Sequence, residues 1–204
     1  MSEEIKPYSE SQAGKKQQVT EMFDNISGNY DVMNRVITFG MDQGWRRKVL
    51  ELISEGGTEK VLDVATGTGD MVFMYASKTD IKEIIGLDIS TGMLEIAEKR
   101  STAKKLHDKV RFLQGDAENL PFENEYFDAV SVSYGIRNFE DLERGLKEIL
   151  RVLKPGGRLI VLETSVPKSA ILRFGYSLHT KLFIPLVGRL FSKDKRAYSY
   201  LSNS

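Results

Sequence analysis

Lys60-Val61-Leu62-Asp63-Val64-Ala65-Thr66-Gly67-Thr68-Gly69-Asp70 runs from a short apolar segment into a turn with two glycines. Val61, Leu62 and Val64 form the apolar, partly β-branched run that a strand covered on both faces requires. Gly67 and Gly69 let the backbone turn sharply and approach a ligand with no Cβ in the way. A second strand-like run, Glu83-Ile84-Ile85-Gly86-Leu87-Asp88-Ile89, ends near an acid, Asp88, nineteen residues after Gly69. A carboxylate at that distance is placed to accept hydrogen bonds from ribose hydroxyls beside the turn. The pair of features fits a cofactor that contains a nucleoside.

The turn alone leaves three readings open. A dinucleotide site usually has a third glycine, where this chain has Val72. An incomplete glycine fingerprint suits a cofactor with no pyrophosphate, such as S-adenosylmethionine. The third reading is a plain strand-to-helix turn with no ligand.

Working outward, five strand-like runs lie near residues 60–65, 83–89, 109–114, 127–133 and 157–163. Helical patterns alternate with them. The segment 90–105 opens on Ser90, a good N-cap, and sets Met93, Leu94 and Ala97 on one face. The segment 140–153 spaces Leu142, Leu146, Ile149, Leu150 and Leu153 as a helix would. Lys154-Pro155-Gly156-Gly157 should stop that helix and turn the chain into the fifth strand. Alternation of this kind predicts an α/β fold, a Rossmann-like, doubly wound and mostly parallel sheet with helices on both faces. Ligands in such sheets bind outside the carboxyl ends of the strands. Residues 1–18 are polar and are expected to be flexible. Residues 19–55 read as a cap of helical pieces broken at Gly28, Gly40 and Gly44. A cofactor-binding core over 60–163 and substrate-side helices over 168–196 complete one expected domain, 19–204.

Bulk properties remove several functional classes. The chain of 204 residues carries 29 basic and 29 acidic side chains, so no global field points to nucleic acid. With no cysteine there is neither disulfide nor thiolate chemistry. The polar start lacks the apolar stretch of a secretory signal. The longest apolar run near the end, Leu182 to Val187, contains Pro185 and cannot span a bilayer.

More signals stand at the other strand exits. Gly115-Asp116-Ala117-Glu118-Asn119-Leu120-Pro121-Phe122 follows the third strand. Asp116 there can accept from an adenine amino group while the Ala117 N–H donates to the ring; a simple turn cap is the plainer alternative. Ser131-Val132-Ser133-Tyr134-Gly135-Ile136-Arg137-Asn138 forms an unusually polar exit from the fourth strand.

Together with Leu153-Lys154-Pro155-Gly156-Gly157, these motifs resemble those of class I adenosylmethionine-dependent methyltransferases. Tyr30-Asp31-Val32-Met33-Asn34, Phe39-Gly40, Trp45-Arg46, Gly135-Ile136-Arg137-Asn138 and Tyr198-Ser199-Tyr200-Leu201 narrow the resemblance to the quinone-biosynthesis C-methyltransferases, over roughly residues 18–204. The resemblance implies methyl transfer to a ring carbon of a polyprenylated quinol. Demethylmenaquinol is the leading substrate, 2-polyprenyl-6-methoxy-1,4-benzoquinol the alternative, and another small molecule a further one. It implies S-adenosyl-L-methionine as methyl donor, no metal, and cofactor contacts from Thr68, Asp88, Asp116, Ala117 and Ser133. Asp63, Gly67 and Gly69 are counted with this cofactor-binding set. Thr66 stands where the family often has glycine, and Asp116 where asparagine also occurs. The family pattern also implies a last helix and two strands beyond residue 204, seven strands in all against the five visible.

Catalytic work is expected of Arg137, as stabiliser of a developing phenolate, of Asn138, orienting the ring oxygen, and of Tyr30, closing over the methyl donor. His107 reads as a surface residue, whereas His179 lies in the substrate-side segment and is an acid–base candidate. Over 168–196 seven basic residues face one acidic residue, Asp194, among many apolar ones. That segment reads either as a basic, apolar lid at an anionic membrane surface or as ordinary amphipathic helices. The expected location is cytoplasmic, with a peripheral contact at the inner face of the membrane. An open sheet edge would favour a homodimer.

Overall fold

The computed structural model describes residues 5–8, 11–165, 168–179, 197 and 200. The chain divides into two compact units, one of residues 1–42 with 164–204 and one of residues 43–163. The second unit holds a five-stranded parallel sheet. Its strands are β1 (Lys60–Val64), β2 (Glu83–Asp88), β3 (Val110–Gln114), β4 (Phe127–Ser133) and β5 (Leu153–Leu162), in the spatial order β3-β2-β1-β4-β5. The order runs outward from β1 to β3 on one side and from β4 to β5 on the other. β1 and β4 therefore flank the point where the winding reverses, and a crevice opens there in sheets of this kind.

Strand pleating sends alternate side chains to opposite faces. Leu62, Val64, Val130 and Val132 face one layer, where Ile149 and Val152 of helix α6 (Leu142–Val152) pack on them. Val61, Ile84 and Ala129 face the other layer, with Met71, Val72, Phe73 and Tyr75 of helix α4 (Asp70–Lys78). Helices on both faces give the doubly wound arrangement expected. Phe127 is fully buried between the rings of Phe122 and Tyr126, each centroid 4.9 Å away. Helix α5 (Thr91–Lys104) starts as its sequence proposes, the Ser90 hydroxyl accepting from the Met93 N–H at 3.1 Å.

Several details depart from the expectation. The fifth strand begins at Leu153, directly after α6, and Lys154 to Gly157 form an excursion within it. β4 advances from Phe127 to Ala129 while β5 advances from Leu153 to Arg158. Gly156, at φ +79, carries the left-handed turn this needs. On α6 the core takes Gly145, Ile149 and Val152, whereas Leu142, Leu146 and Leu150 are exposed, Leu150 to 72%. The apolar stripe is wider than the surface that covers it. Leu159 and Val161 of β5 are exposed as well, and β5 has β4 as its one described neighbour.

The other unit contains helices α1 (Lys15–Ile26), α2 (Tyr30–Ile37) and α7 (Ala170–Leu178). Helix α1 starts at Lys15, inside the 1–18 segment expected to be flexible. Gln18 is buried, accepts from the Tyr8 N–H and donates to the Ala13 carbonyl, tying the preceding residues down. Gly44 does not break the chain; it lies in the first turn of helix α3 (Asp42–Ser54). Of the substrate-side segment 168–196, residues 180–196 lie outside the described residues.

Asp128 closes the amino ends of the strands. Its carboxylate accepts the Glu59 and Lys60 N–H groups at 3.0 and 2.8 Å and the Lys154 ammonium at 2.6 Å. Burial raises its pKa, but these donors outweigh that and hold it below the ordinary carboxylate value. Asp128→Ala leaves two backbone donors and a lysine without their acceptor, and is expected to lower unfolding free energy by about 1–3 kcal/mol. Urea denaturation of the two proteins measures it.

Candidate functional site

The site is built on the first strand exit. Ala65 and Gly67 take positive φ values of 54 and 58, and Gly69, at φ 85, caps α4. A Cβ on Gly69 would meet the Phe112 and Phe73 rings at 3.0 Å, so this position rejects a side chain by conformation and by space. The turn's shape is fixed from below. Asp63 is only 2% exposed, and its two oxygens accept the Ser131 hydroxyl at 2.6 Å and the Thr66 hydroxyl at 2.7 Å. Burial raises its pKa from 3.8 to about 6; the two hydroxyls and Arg46 oppose the rise and Asp88 adds to it. Asp63, which the sequence reading counts with the cofactor-binding set, has both oxygens engaged by hydroxyls beneath the turn, where it joins β1 to β4.

Gly86 makes room for this arrangement. It pairs in register with Asp63, and a Cβ there would lie 2.9 Å from the Thr66 side chain. A glycine inside a strand signals close approach of another group. Gly135 serves likewise across the winding reversal, since its Cβ would fall 2.4 Å from the Ala65 Cβ. These two glycines and Thr66 were legible in principle from their positions in a strand or at its exit.

Asp88 is brought to the turn as expected. One oxygen accepts the Gly67 N–H at 2.7 Å and the other the Ser90 N–H at 2.9 Å. Two backbone donors thus aim the carboxylate before any ligand arrives. Thr68 is 3% exposed and its hydroxyl accepts from Arg100. That arginine, on α5, belongs to none of the sequence motifs. It also donates to the Thr68 carbonyl at 2.9 Å and to Asp70 at 2.6 Å, and its guanidinium lies 5.1 Å from the Phe73 ring centre. Arg46 reaches the other oxygen of Asp70 at 3.8 Å and lies over the Tyr134 ring. Two guanidinium groups therefore share the first carboxylate of α4.

After β3, Asp116 accepts the Glu118 N–H at 2.9 Å, and Asn119 N–H bonds back to its carbonyl, so the turn-cap reading of Asp116 is realised in the structure. Ala117 packs at the margin of the core. After β4, Ser133 ends the strand and its buried hydroxyl has no hydrogen-bonding partner among the described residues. A buried hydroxyl left in that state is rare without a ligand or water to receive it. Arg137 and Asn138 form a single 3-10 turn, Ile136–Asn138, closed by the Asn138 N–H on the Gly135 carbonyl. Arg137 extends toward Glu163 at the exit of β5, Nη1 to Oε1 3.7 Å. Asp63, Gly67, Thr68, Gly69, Asp88, Asp116, Ala117, Ser133, Arg137 and Asn138 thus gather at the carboxyl ends of neighbouring strands in one unit. Tyr30 belongs to the other unit, where it opens α2 and meets Phe23 edge-on at 5.9 Å. In that unit the His179 ring lies 5.6 Å from Phe39. His107 is exposed beside Asp108.

The cradle fits a nucleoside-containing methyl donor. It offers backbone stripped of Cβ atoms, a carboxylate aimed by two N–H groups and an orphaned hydroxyl across the winding reversal. Among the described residues, no cluster of His, Cys, Asp or Glu could hold a metal ion.

A family model described as the ubiE/COQ5 methyltransferase family matches residues 11–204. A demethylmenaquinone methyltransferase of Thermotoga maritima is 50% identical over 192 residues, covering 93% of this chain and 80% of that protein. A ubiquinone/menaquinone biosynthesis C-methyltransferase of Geotalea daltonii is 39% identical, over 93% of this chain and 81% of its own. Among solved structures, a putative S-adenosyl-L-methionine-dependent methyltransferase of Methanococcus maripaludis superposes with a TM-score of 0.65 at 22% identity. It covers 90% of this chain and 80% of that one, and at that identity it shows the shared fold.

Two outcomes follow from this geometry. Arg100→Ala removes three donors from the turn and is expected to weaken adenosylmethionine binding by about tenfold or more. Arg100→Lys, which keeps the charge without the fork, should fall between it and the parent in titration calorimetry. Asp63 governs a pH effect. Its folded pKa of about 6 exceeds the ordinary 3.8, so its contribution to stability is complete below about pH 4 and is lost as pH rises through 6. The difference corresponds to about 3 kcal/mol. Asp63→Asn abolishes that titration, so the stability of the parent relative to this variant should rise as pH is lowered from 7 to 4, measured by denaturant unfolding.

Proposed function

Because the chain belongs to the ubiE/COQ5 methyltransferase family, we propose that it methylates a ring carbon of demethylmenaquinol, yielding menaquinol. The observation that carries the reading is the 50% identity to a demethylmenaquinone methyltransferase over 93% of the chain. The name of the Geotalea daltonii relative keeps a second acceptor in view, the benzoquinol of ubiquinone biosynthesis. We read both units as parts of one methyltransferase domain.

Adenosylmethionine, when bound, supplies an electrophilic methyl group on a sulfonium. Gly67 and Gly69 let the backbone approach the donor, and Asp88 accepts from its ribose hydroxyls. Asp116 and Ala117 address the adenine, and Thr68 and Ser133 complete the cradle. The acceptor is a carbon nucleophile, so it needs a hydroxyl with developing phenolate character. Arg137 meets that charge, Asn138 orients the ring oxygen and Tyr30 closes over the donor. Alignment of two reactants in a site without water is worth roughly 7–11 kcal/mol in favourable cases.

The tail of the substrate takes the enzyme to the inner face of the membrane, with the rest of the protein in the cytoplasm. Exposed apolar side chains in one unit support this, Phe174 at 73% and Phe39 at 66%, as do exposed Lys168 and Arg173 and the basic sequence up to Arg196. No described helix is long and apolar enough to cross a membrane.

Quinones extracted from a menaquinone-producing host lacking this protein test the function. Demethylmenaquinone should accumulate and return to menaquinone when the gene is restored. The purified enzyme should methylate demethylmenaquinol faster than the benzoquinol. An unchanged quinone profile, or preference for the benzoquinol, would replace this reading.

A further inference from the structure

Glu163 is the first residue after β5, beside the polar exit of β4 that bears Arg137. The Tyr134 N–H donates to the Leu162 carbonyl at 2.7 Å and pins the two exits together. Arg137 Nη1 and Glu163 Oε1 are 3.7 Å apart, and the side chains are only 22% and 21% exposed. The second carboxylate oxygen, Oε2, is buried. An acid enclosed at the carboxyl ends of the strands, against the cation assigned to the acceptor, is a group the chemistry above leaves unused.

We propose that Glu163 is the proton acceptor of the methyl transfer, a role that rests on the quinol reading. Arg137 cannot take a proton, because a guanidinium stays charged at any working pH. Glu163 can, and the pair makes the transfer electrostatically cheap. As the quinol O–H bond breaks and its proton passes to Glu163, the Arg137–carboxylate pair becomes an Arg137–phenolate pair. No net charge is created in a poorly solvated site, and the cation is freed for the oxygen at the moment that oxygen needs it. The ring carbon forms its bond to the methyl group as the methyl–sulfur bond breaks and leaves its electrons on sulfur. The methylated ring then loses its ring proton to solvent water and takes a proton back on oxygen from Glu163, which returns to its carboxylate. Overall one proton is released.

Glu163→Gln separates proton transfer from positioning, because an amide of the same shape can still face Arg137 but cannot take a proton. The assay uses demethylmenaquinol with a short tail and a series of halogenated naphthoquinols whose hydroxyls are more acidic. Glu163→Gln should bind adenosylmethionine like the parent and lose about a hundredfold or more in kcat. The ratio of parent to variant rates should shrink as the acceptor hydroxyl becomes more acidic, and Glu163→Asp should retain part of the rate. If Glu163→Gln does not fold, judged by calorimetry with adenosylmethionine, the Glu163→Asp series is read by the same ratio. Parent-like turnover in Glu163→Gln, or a ratio indifferent to acidity, overturns the assignment and leaves the quinol reading intact. A parent enzyme that methylates none of these quinols overturns the quinol reading and the role of Glu163 with it.

Discussion

The site depends on one carboxylate kept out of water. Asp63 carries both strands that flank the winding reversal, β1 through the turn at Thr66 and β4 through Ser131. Burying an ionised group is costly unless hydrogen bonds and neighbouring charge compensate it, and here two hydroxyls and Arg46 do so in part. The remaining penalty appears as a carboxyl that titrates near 6. The same arrangement uses the space left by Gly86 opposite it and the Thr66 hydroxyl, so the cradle draws on three strands at once.

Above that carboxylate, the turn is gripped from one neighbouring strand–helix unit. Asp88, at the end of β2, takes the Gly67 N–H, and Arg100, on the helix that follows, takes the Thr68 carbonyl and hydroxyl. Backbone conformations that tolerate no ordinary side chain are thus fixed before a ligand arrives. Preorganisation of this kind lowers the ordering cost of binding. On the opposite side of the reversal, Ser133 ends β4 and Arg137 follows it in a 3-10 turn, so both stand on the same line of strand ends as the glycine turn.

Much of this was legible in the sequence. Strand positions followed from apolar runs of the right length, and the glycine turn and Asp88 from their spacing. Ser90 announced its helix because a capping hydroxyl is a local device. What escaped has a common cause. Arg100 and Glu163 are charged residues of a kind that usually face solvent, and only tertiary pairing distinguishes them from neighbours such as Lys99 or Glu143. Leu142, Leu146 and Leu150 have helical spacing, yet periodicity cannot say how much of an apolar stripe finds a partner. Strand periodicity likewise does not register that both oxygens of Asp63 accept from hydroxyls of β4 and the turn.

The excursion at Lys154–Gly157 has a practical use. It sits at the amino ends of the strands, whereas the cradle occupies the carboxyl ends, so the length of the sheet lies between them. Pro155 and Gly156 are exposed, and a Cβ at Gly156 would meet open space. A short fluorescent-label tag grafted at Pro155–Gly156 would therefore report the enzyme's whereabouts in a living cell while leaving its chemistry untouched.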